Sequence, residues 1–359
     1  MKKTLLLVAT LISCFHTYSQ EAKTSNVPEF VVASRFDVVP SIPASGSGYD
    51  KFNFTGSAIY TFLDGNIGDH VSYSMCNHWV GVYTKELYED LGYSDTINWI
   101  DWLYFSFHND KIDFTLGKDM INLGLWEDVP YDIDAHSTLG SSFWWNSSVY
   151  QWGAALKYTL SDETTYFSFN FSSSPFGERP FKSKLFHYGA KWGGEYGIWR
   201  PMLSGHLMEY DRGYFVKLIC FGQQFAIGEA TLELDYTTYS YGWRTLFSDQ
   251  GQIRANALIP IGKEGRVEVL ASCGFEFCQK GDIFGYGDEY DFSSKSINPT
   301  GIATKKNYYY AGGGVNYYPL KKSKDLRLHA TAAYNNYAKS IALALGATFH
   351  FNVTKLLSK

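Results

Sequence analysis

The sequence predicts an all-β protein, a single transmembrane antiparallel β-barrel of about sixteen strands with short turns at one end and long loops at the other. Three observations predict it. Apolar and polar residues alternate with period two through most of the chain, the pattern of strands with one apolar face. The links between these segments alternate between short and long. Beyond the first twenty residues, no apolar run approaches the roughly 18 to 20 residues that a membrane helix needs, so a membrane-embedded form of this chain crosses as strands. Composition agrees: aromatic residues make up 18% of the chain and charged residues 19%, the latter against roughly 25% in an average soluble protein.

In chain order the alternating segments fall near 30–38, 52–62, 70–79, 99–108, 111–118, 150–160, 164–172, 185–192, 197–208, 213–222, 229–239, 252–260, 266–277, 307–318, 325–334 and 340–352. In the second, Phe52, Phe54, Gly56, Ala58, Tyr60 and Phe62 share a face. Tyr150, Trp152, Ala154, Leu156 and Tyr158 turn outward on the sixth, with Gln151, Ala155, Lys157 and Thr159 opposite. Phe167, Phe169 and Phe171 alternate with Ser168, Asn170 and Ser172. In the last, Ile341, Leu343, Leu345, Ala347, Phe349 and Phe351 alternate with Ala342, Ala344, Gly346, Thr348 and His350. Most segments match the roughly 9 to 11 residues that cross hydrocarbon when tilted, and an even number closes an antiparallel barrel.

Asn109-Asp110, Ser161 to Glu163, Gly193 to Tyr196 and Ile261 to Gly265 are short links. Gly81 to Asn98, Asp119 to Val149, Ser173 to Lys184, Tyr241 to Gly251 and Gln279 to Lys306 are long ones. With the last strand ending on the periplasmic side, the long loops face the exterior. A soluble sandwich or smaller barrels in tandem also alternate, but they account neither for the alternation of links nor for the lack of a linker. Trp79, Trp99, Trp152, Trp192, Trp199 and Tyr318, near strand ends, are candidates for interfacial girdles.

Residues 1–19 read as a signal peptide: Lys2 and Lys3, an apolar run from Leu5 to Ile12, then Thr17 and Ser19 at the spacing of a cleavage site. Residues 20–359 then form one barrel domain destined for the bacterial outer membrane. Cys14 offers a second reading, as the lipidated residue of a lipoprotein signal. The remaining Cys76, Cys220, Cys273 and Cys278 are too sparse for a disulfide scaffold and match no zinc spacing, although Cys273 and Cys278 could pair. A net charge of -5 with no basic stripe excludes a nucleic-acid partner.

The segment from Phe114 through Gly117-Lys118-Asp119 to Gly124-Leu125-Trp126-Glu127, followed by Tyr131-Asp132-Ile133-Asp134, resembles the strand-and-loop region of porins related to the phosphate-selective porin O/P family. The resemblance is strongest over 111–148. Thr348-Phe349-His350-Phe351-Asn352 is similar to the final strand of outer-membrane proteins of the Bacteroidetes group, with Val353 to Lys359 extending past it. The resemblance implies a sixteen-stranded, trimeric channel for small hydrophilic solutes. It does not imply phosphate as the solute, because no dense run of Lys or Arg is present.

A channel's selectivity is set by its narrowest radius and the charges around it. The loop 119–149 is the candidate for folding into the lumen; Asp119, Glu127, Asp128, Asp132 and Asp134 would then line a constriction. Arg35, Lys118, Lys157, Lys191, Arg254 and Arg327 are the expected pore-wall cations, with Arg200 and Lys217 less certain in register. Asp113, Glu233, Asp235 and Glu268, also expected inward, would neutralise part of that wall. Acidic loop against basic wall gives a transverse field; a loop lying outside would leave its carboxylates merely solvated. No cofactor is expected. Asp132, Asp134 and His136, or Asp282, Asp288, Glu289 and Asp291, offer oxygen ligands for calcium, but neither follows a calcium-loop spacing. The expected partners are outer-membrane lipid and lipopolysaccharide, small solutes and two further copies of the chain. A surface receptor or adhesin using the long loops is the alternative. A hydrolase is less favoured, because His187, His206 and His329 accompany no nucleophile motif.

Overall fold

The structure is a computed structural model that describes residues 27–43, 52–53, 57–80, 100–127, 129, 132–147, 149–177, 181–262, 265–280, 283–284, 305–321, 323–337 and 339–358. The expected signal peptide, Cys14, Trp99, Asp128 and the acidic group from Asp282 to Asp291 lie outside the described residues.

Among them run β1 (Glu29–Pro43), β2 (Phe52–Asn53), β3 (Ala58–Ile67), β4 (Val71–Val80), β5 (Ile100–His108), β6 (Ile112–Met120), β7 (Tyr150–Thr159), β8 (Thr165–Ser173) and β9 (Phe186–Gly194). They continue as β10 (Trp199–Asp211), β11 (Tyr214–Ile227), β12 (Ala230–Ser240), β13 (Gln250–Ile261), β14 (Val267–Cys278), β15 (Lys306–Tyr317), β16 (Leu326–Asn335) and β17 (Ser340–Asn352). Each of the long strands pairs antiparallel with the next, and β1 joins β17 through Val31↔Asn352, Arg35↔Thr348 and Val38↔Leu345. β2 is a two-residue ladder on the upper end of β1. The wall is therefore a closed sixteen-stranded barrel. Closure satisfies every wall strand on both edges, which a bilayer demands of any sheet that crosses it.

Burial is inverted relative to a soluble globule. Phe36, Phe105, Leu116, Phe169, Ile253 and Leu345 are exposed, while Arg35, Asp37, Glu233, Asp235, Gln252, Arg254 and His329 are buried. Successive side chains on a strand alternate faces, so one side meets lipid and the other fills the interior. Trp79 and Trp199 are exposed near opposite barrel ends, as girdle residues are. Tyr318 instead turns in and donates to Glu268 at 2.9 Å.

The strand expected at 52–62 is displaced. Ala58–Ile67 forms the wall, because Asp64, Gly65 and Asn66 belong to the strand, and the reversal comes only at Gly68, whose φ of +65° suits the turn. The polarity of Asp64 and Asn66 reflects the lumen-facing side of a strand, not a loop: Asp64 is buried. Cys273 and Cys278, which could have paired, lie five residues apart on β14, an odd spacing that sends them to opposite faces, and no disulfide joins them. After Asn352 the chain turns into a short helix, α2 (Val353–Leu357), whose N-cap Asn352 accepts from the Lys355 amide at 2.8 Å.

Candidate functional site: the lumen and its inserted loop

The loop between β6 and β7 runs inside the barrel. Ile121, Leu123, Leu125, Phe143 and Val149 pack against Met208, Val216, Leu218, Cys220 and Tyr239 of β10–β12, with Ile283 and Phe284 beside them. Ile133 and Leu139 pack against Leu258, Leu270 and Ala333 of β13, β14 and β16. The loop carries one short helix, α1 (Ser142–Asn146), capped by Ser141, whose hydroxyl accepts from the Trp144 amide at 3.0 Å. These contacts make a second apolar core within the barrel, which is why several inward positions of β10 and β11 are apolar.

Polar contacts fasten the same segment. Glu127 accepts from the amide and hydroxyl of Ser141 at 2.6 and 2.8 Å and lies 3.7 Å from Arg254, with both charges almost fully buried. Arg254 also donates to the Leu139 carbonyl at 3.4 Å. The Trp126 amide donates to Asp235 at 3.0 Å and the Ser142 amide to Glu276 at 2.7 Å. Lys191 donates to Asn122, and Ser204 to the Leu123 carbonyl. Further along, Asp132 pairs with Arg327 and stands 3.8 Å from Arg35, and Asp134 stands 3.6 Å from Arg35 while accepting from the Tyr60 hydroxyl at 2.8 Å.

His136 is fully buried between Thr331 and Asn316. The Asn316 amide nitrogen donates to Glu268 at 3.2 Å, so its oxygen faces His136 and accepts from Nε2–H, leaving Nδ1 to accept from the Thr331 hydroxyl. Burial first, and the nearby Arg327 second, push the His136 imidazole down to about 3, so it is neutral at any ordinary pH. Burial pushes the Asp132 carboxyl up, but Arg327 and Arg35 outweigh it and hold the group well below the usual carboxylate range.

The sequence-expected residues divide accordingly. Glu127, Asp132 and Asp134 are brought to Arg254, Arg327 and Arg35 as direct ion pairs, not held across a gap from them. Glu127 is closed off from solvent, whereas the side chains of Asp132 and Asp134 stay 32% and 39% exposed. Asp119 sits on β6 opposite Gln151, in a recess also lined by Thr115, Asn170 and Ser172. Lys157 points inward and pairs with Asp113 at 3.2 Å. Arg200 is buried against Gln224 at 3.0 Å.

Two wall cations belong elsewhere. Lys118 pairs in register with Leu103 and Trp152, on the face of Phe105 and Leu116, and its ammonium returns to the Ile100 carbonyl. Lys217 lies between the inward Val216 and Leu218 and reaches the Phe215 carbonyl at 2.8 Å and that of Tyr241. Directly opposed residues share a face and alternate along the strand, so neither stem faces the lumen. The acids considered for calcium, Asp132 and Asp134, face arginines, and no group of three metal-ligating side chains converges among the described residues. His187 and His206 bond each other at 3.0 Å and reach Ser172 and Ser204 at 3.0 and 2.9 Å, with no carboxylate in that chain of contacts.

Residues that the sequence reading missed complete the site. Tyr60 caps Asp134, and Asp37 joins Arg35 at 3.1 Å to His329 at 2.7 Å. Asp37 was findable: it lies two residues beyond Arg35 on the same face of β1.

No protein family profile matches the chain, and no curated protein matches it. Solved structures do. The outer membrane channel DcaP of Acinetobacter baumannii aligns with a TM-score of 0.59 at 12% identity, covering 90% of this chain and 97% of that one. OmpT, an outer membrane protein of Vibrio cholerae solved in a trimer form, aligns at 0.54 and 10% identity, over 90% and 99%. A variant porin of Rh. blastica aligns at 0.53 and 11% identity, over 90% and 100%. At such identities the likeness is one of fold. What they share with this chain is the closed antiparallel barrel, which here has an apolar outer face and a charged interior.

Proposed function

We propose that the protein is a porin, a passive diffusion channel for small hydrophilic solutes and ions across the outer membrane, with no enzymatic step and no cofactor. The observation that carries this reading is the loop 121–149 packed inside a closed barrel, with Asp132 and Asp134 partly open to the lumen beside Arg35 and Arg327. A loop folded inward narrows the passage without sealing strand edges, and paired charges at the narrowing favour hydrated, polar solutes over apolar ones. The resemblance over 111–148 supports kinship with the phosphate-selective porin O/P group of Bacteroidetes. The trimer form of the Vibrio cholerae barrel supports a homotrimer, embedded among lipid and lipopolysaccharide.

Planar-bilayer recording tests the reading. Purified protein gives stepwise, ohmic conductance, and changing Asp132 and Asp134 together to Asn moves the zero-current potential toward anion preference. The shift shrinks as salt is raised, because the screening length falls from about 30 Å at 0.01 M to about 3 Å at 1 M. A folded barrel that never conducts contradicts the proposal and favours a surface receptor.

A further inference from the structure

We propose that the inner wall from β3 to β7 carries a carbohydrate track, on which neutral sugars stack as they pass the inserted loop; the proposal rests on the channel reading above and names a solute class for it. The track is made of Phe62 on β3, Trp102 on β5 and Tyr150 on β7, anchored at one end by Tyr60, whose buried ring stacks on His78 at 4.3 Å. From Tyr60 to Tyr150 the ring centroids follow one another at 6.1, 5.9 and 6.1 Å. Register fixes the side of Tyr60, Phe62 and Trp102. Tyr60 and Phe62 alternate with the exposed Ile59, and Phe62 and Trp102 both pair with Cys76, which is completely buried. Tyr150, the first residue of β7 and opposite Met120, has outward parity, but both pack against the core formed by the inserted loop, so the row leads from the β1–β3 wall to the loop itself.

Aromatic rings on a barrel's outer face are covered by lipid, whereas Phe62 and Trp102 are only half-buried on the inner one. Trp102 is also held in place, its Nε1 donating to Ser74 at 2.8 Å. Beside the rings stand groups able to exchange hydrogen bonds. Asp134 borders Tyr60 with 39% of its side chain open, and Asp101 lies 3.6 Å from His78 with 21% open. A pyranose asks for this combination: its C–H face packs on an aromatic ring, while hydroxyls at its edge donate to carboxylates. The spacing between rings is comparable with the length of one sugar unit, so successive units of an oligosaccharide meet successive rings.

Maltohexaose and cellohexaose, added separately to single channels of the purified protein, test the track. The expected result is brief, concentration-dependent interruption of the ion current by at least one of the two. Trp102→Ala and Phe62→Ala each weaken the interruption about tenfold, on the order of 1.4 kcal/mol of binding, in channels that still conduct, and Trp102→Phe keeps most of it. If the wild-type channel conducts but neither sugar interrupts it, the track is refuted and the channel reading stands. Interruption unchanged in both alanine variants refutes the track as well. Absence of any ion current from folded protein removes the channel reading beneath it.

Discussion

At the scale of single residues, the face a side chain occupies decides what a substitution does. Leu343 lies between the exposed Ile341 and Leu345, whereas its neighbour Ala344 is buried against the interior. A cation on the lipid face near mid-bilayer costs about 2 to 4 kcal/mol. Leu343→Arg is therefore expected to lower the yield of heat-modifiable barrel on detergent gels, with Ala344→Arg folding better; the opposite order would put the register off by one residue. This part of the molecule was legible because alternation carries it. Lys118 was misplaced although its parity already groups it with Phe114 and Leu116: a long stem lets an ammonium return to a backbone carbonyl from a face where its charge would be unwelcome. Lys217 was ambiguous for a different reason. Val216 and Leu218 are apolar yet inward, because the inserted loop gives them a dry surface to cover, and the rule equating apolar with lipid-facing fails wherever such a loop docks.

At the scale of elements, the inserted loop is the part whose partners the sequence concealed. Its acidity and length were visible, but Asp132 meets Arg327 across 195 positions of chain and Ser142 meets Glu276 across 134, pairings that no local pattern encodes. The loop's attachment should depend on pH through His136. In the docked loop the imidazole is lowered to about 3 from its ordinary 6.5. A depressed value means that the docked state resists protonation, so the stabilisation is complete above about pH 6.5 and is lost progressively as pH falls toward 3. Asp132 has the same sign, with its loss beginning only below the ordinary carboxylate value of 3.8. Hydrogen exchange across 121–149 is expected to match at pH 7 and 8 and, corrected for intrinsic rates, to quicken at pH 5. His136→Gln should flatten the profile above pH 4. A wild-type loop equally protected at pH 8 and pH 5 would mean that His136 takes no part in holding it.

For the whole molecule, barrel and loop divide the work. Sixteen strands close the wall, so the backbone is satisfied within lipid and the outer surface is left apolar. The loop then occupies part of the interior, resting on β10–β14 and β16 through its two apolar clusters and on β1, β3 and β16 through Asp132 and Asp134. Trp102, Asp119 and Lys157 stand on the inner face of β5, β6 and β7. Conductance should therefore be limited by the loop and not by the barrel. The most direct measurement is single-channel conductance of a variant in which residues 122–148 are replaced by a short Gly-Ser linker, compared with the intact protein at the same salt. The account predicts stable channels with conductance increased severalfold and selectivity weakened. Unchanged conductance and unchanged zero-current potential in that variant would contradict it, since the loop would then lie outside the path of the ions.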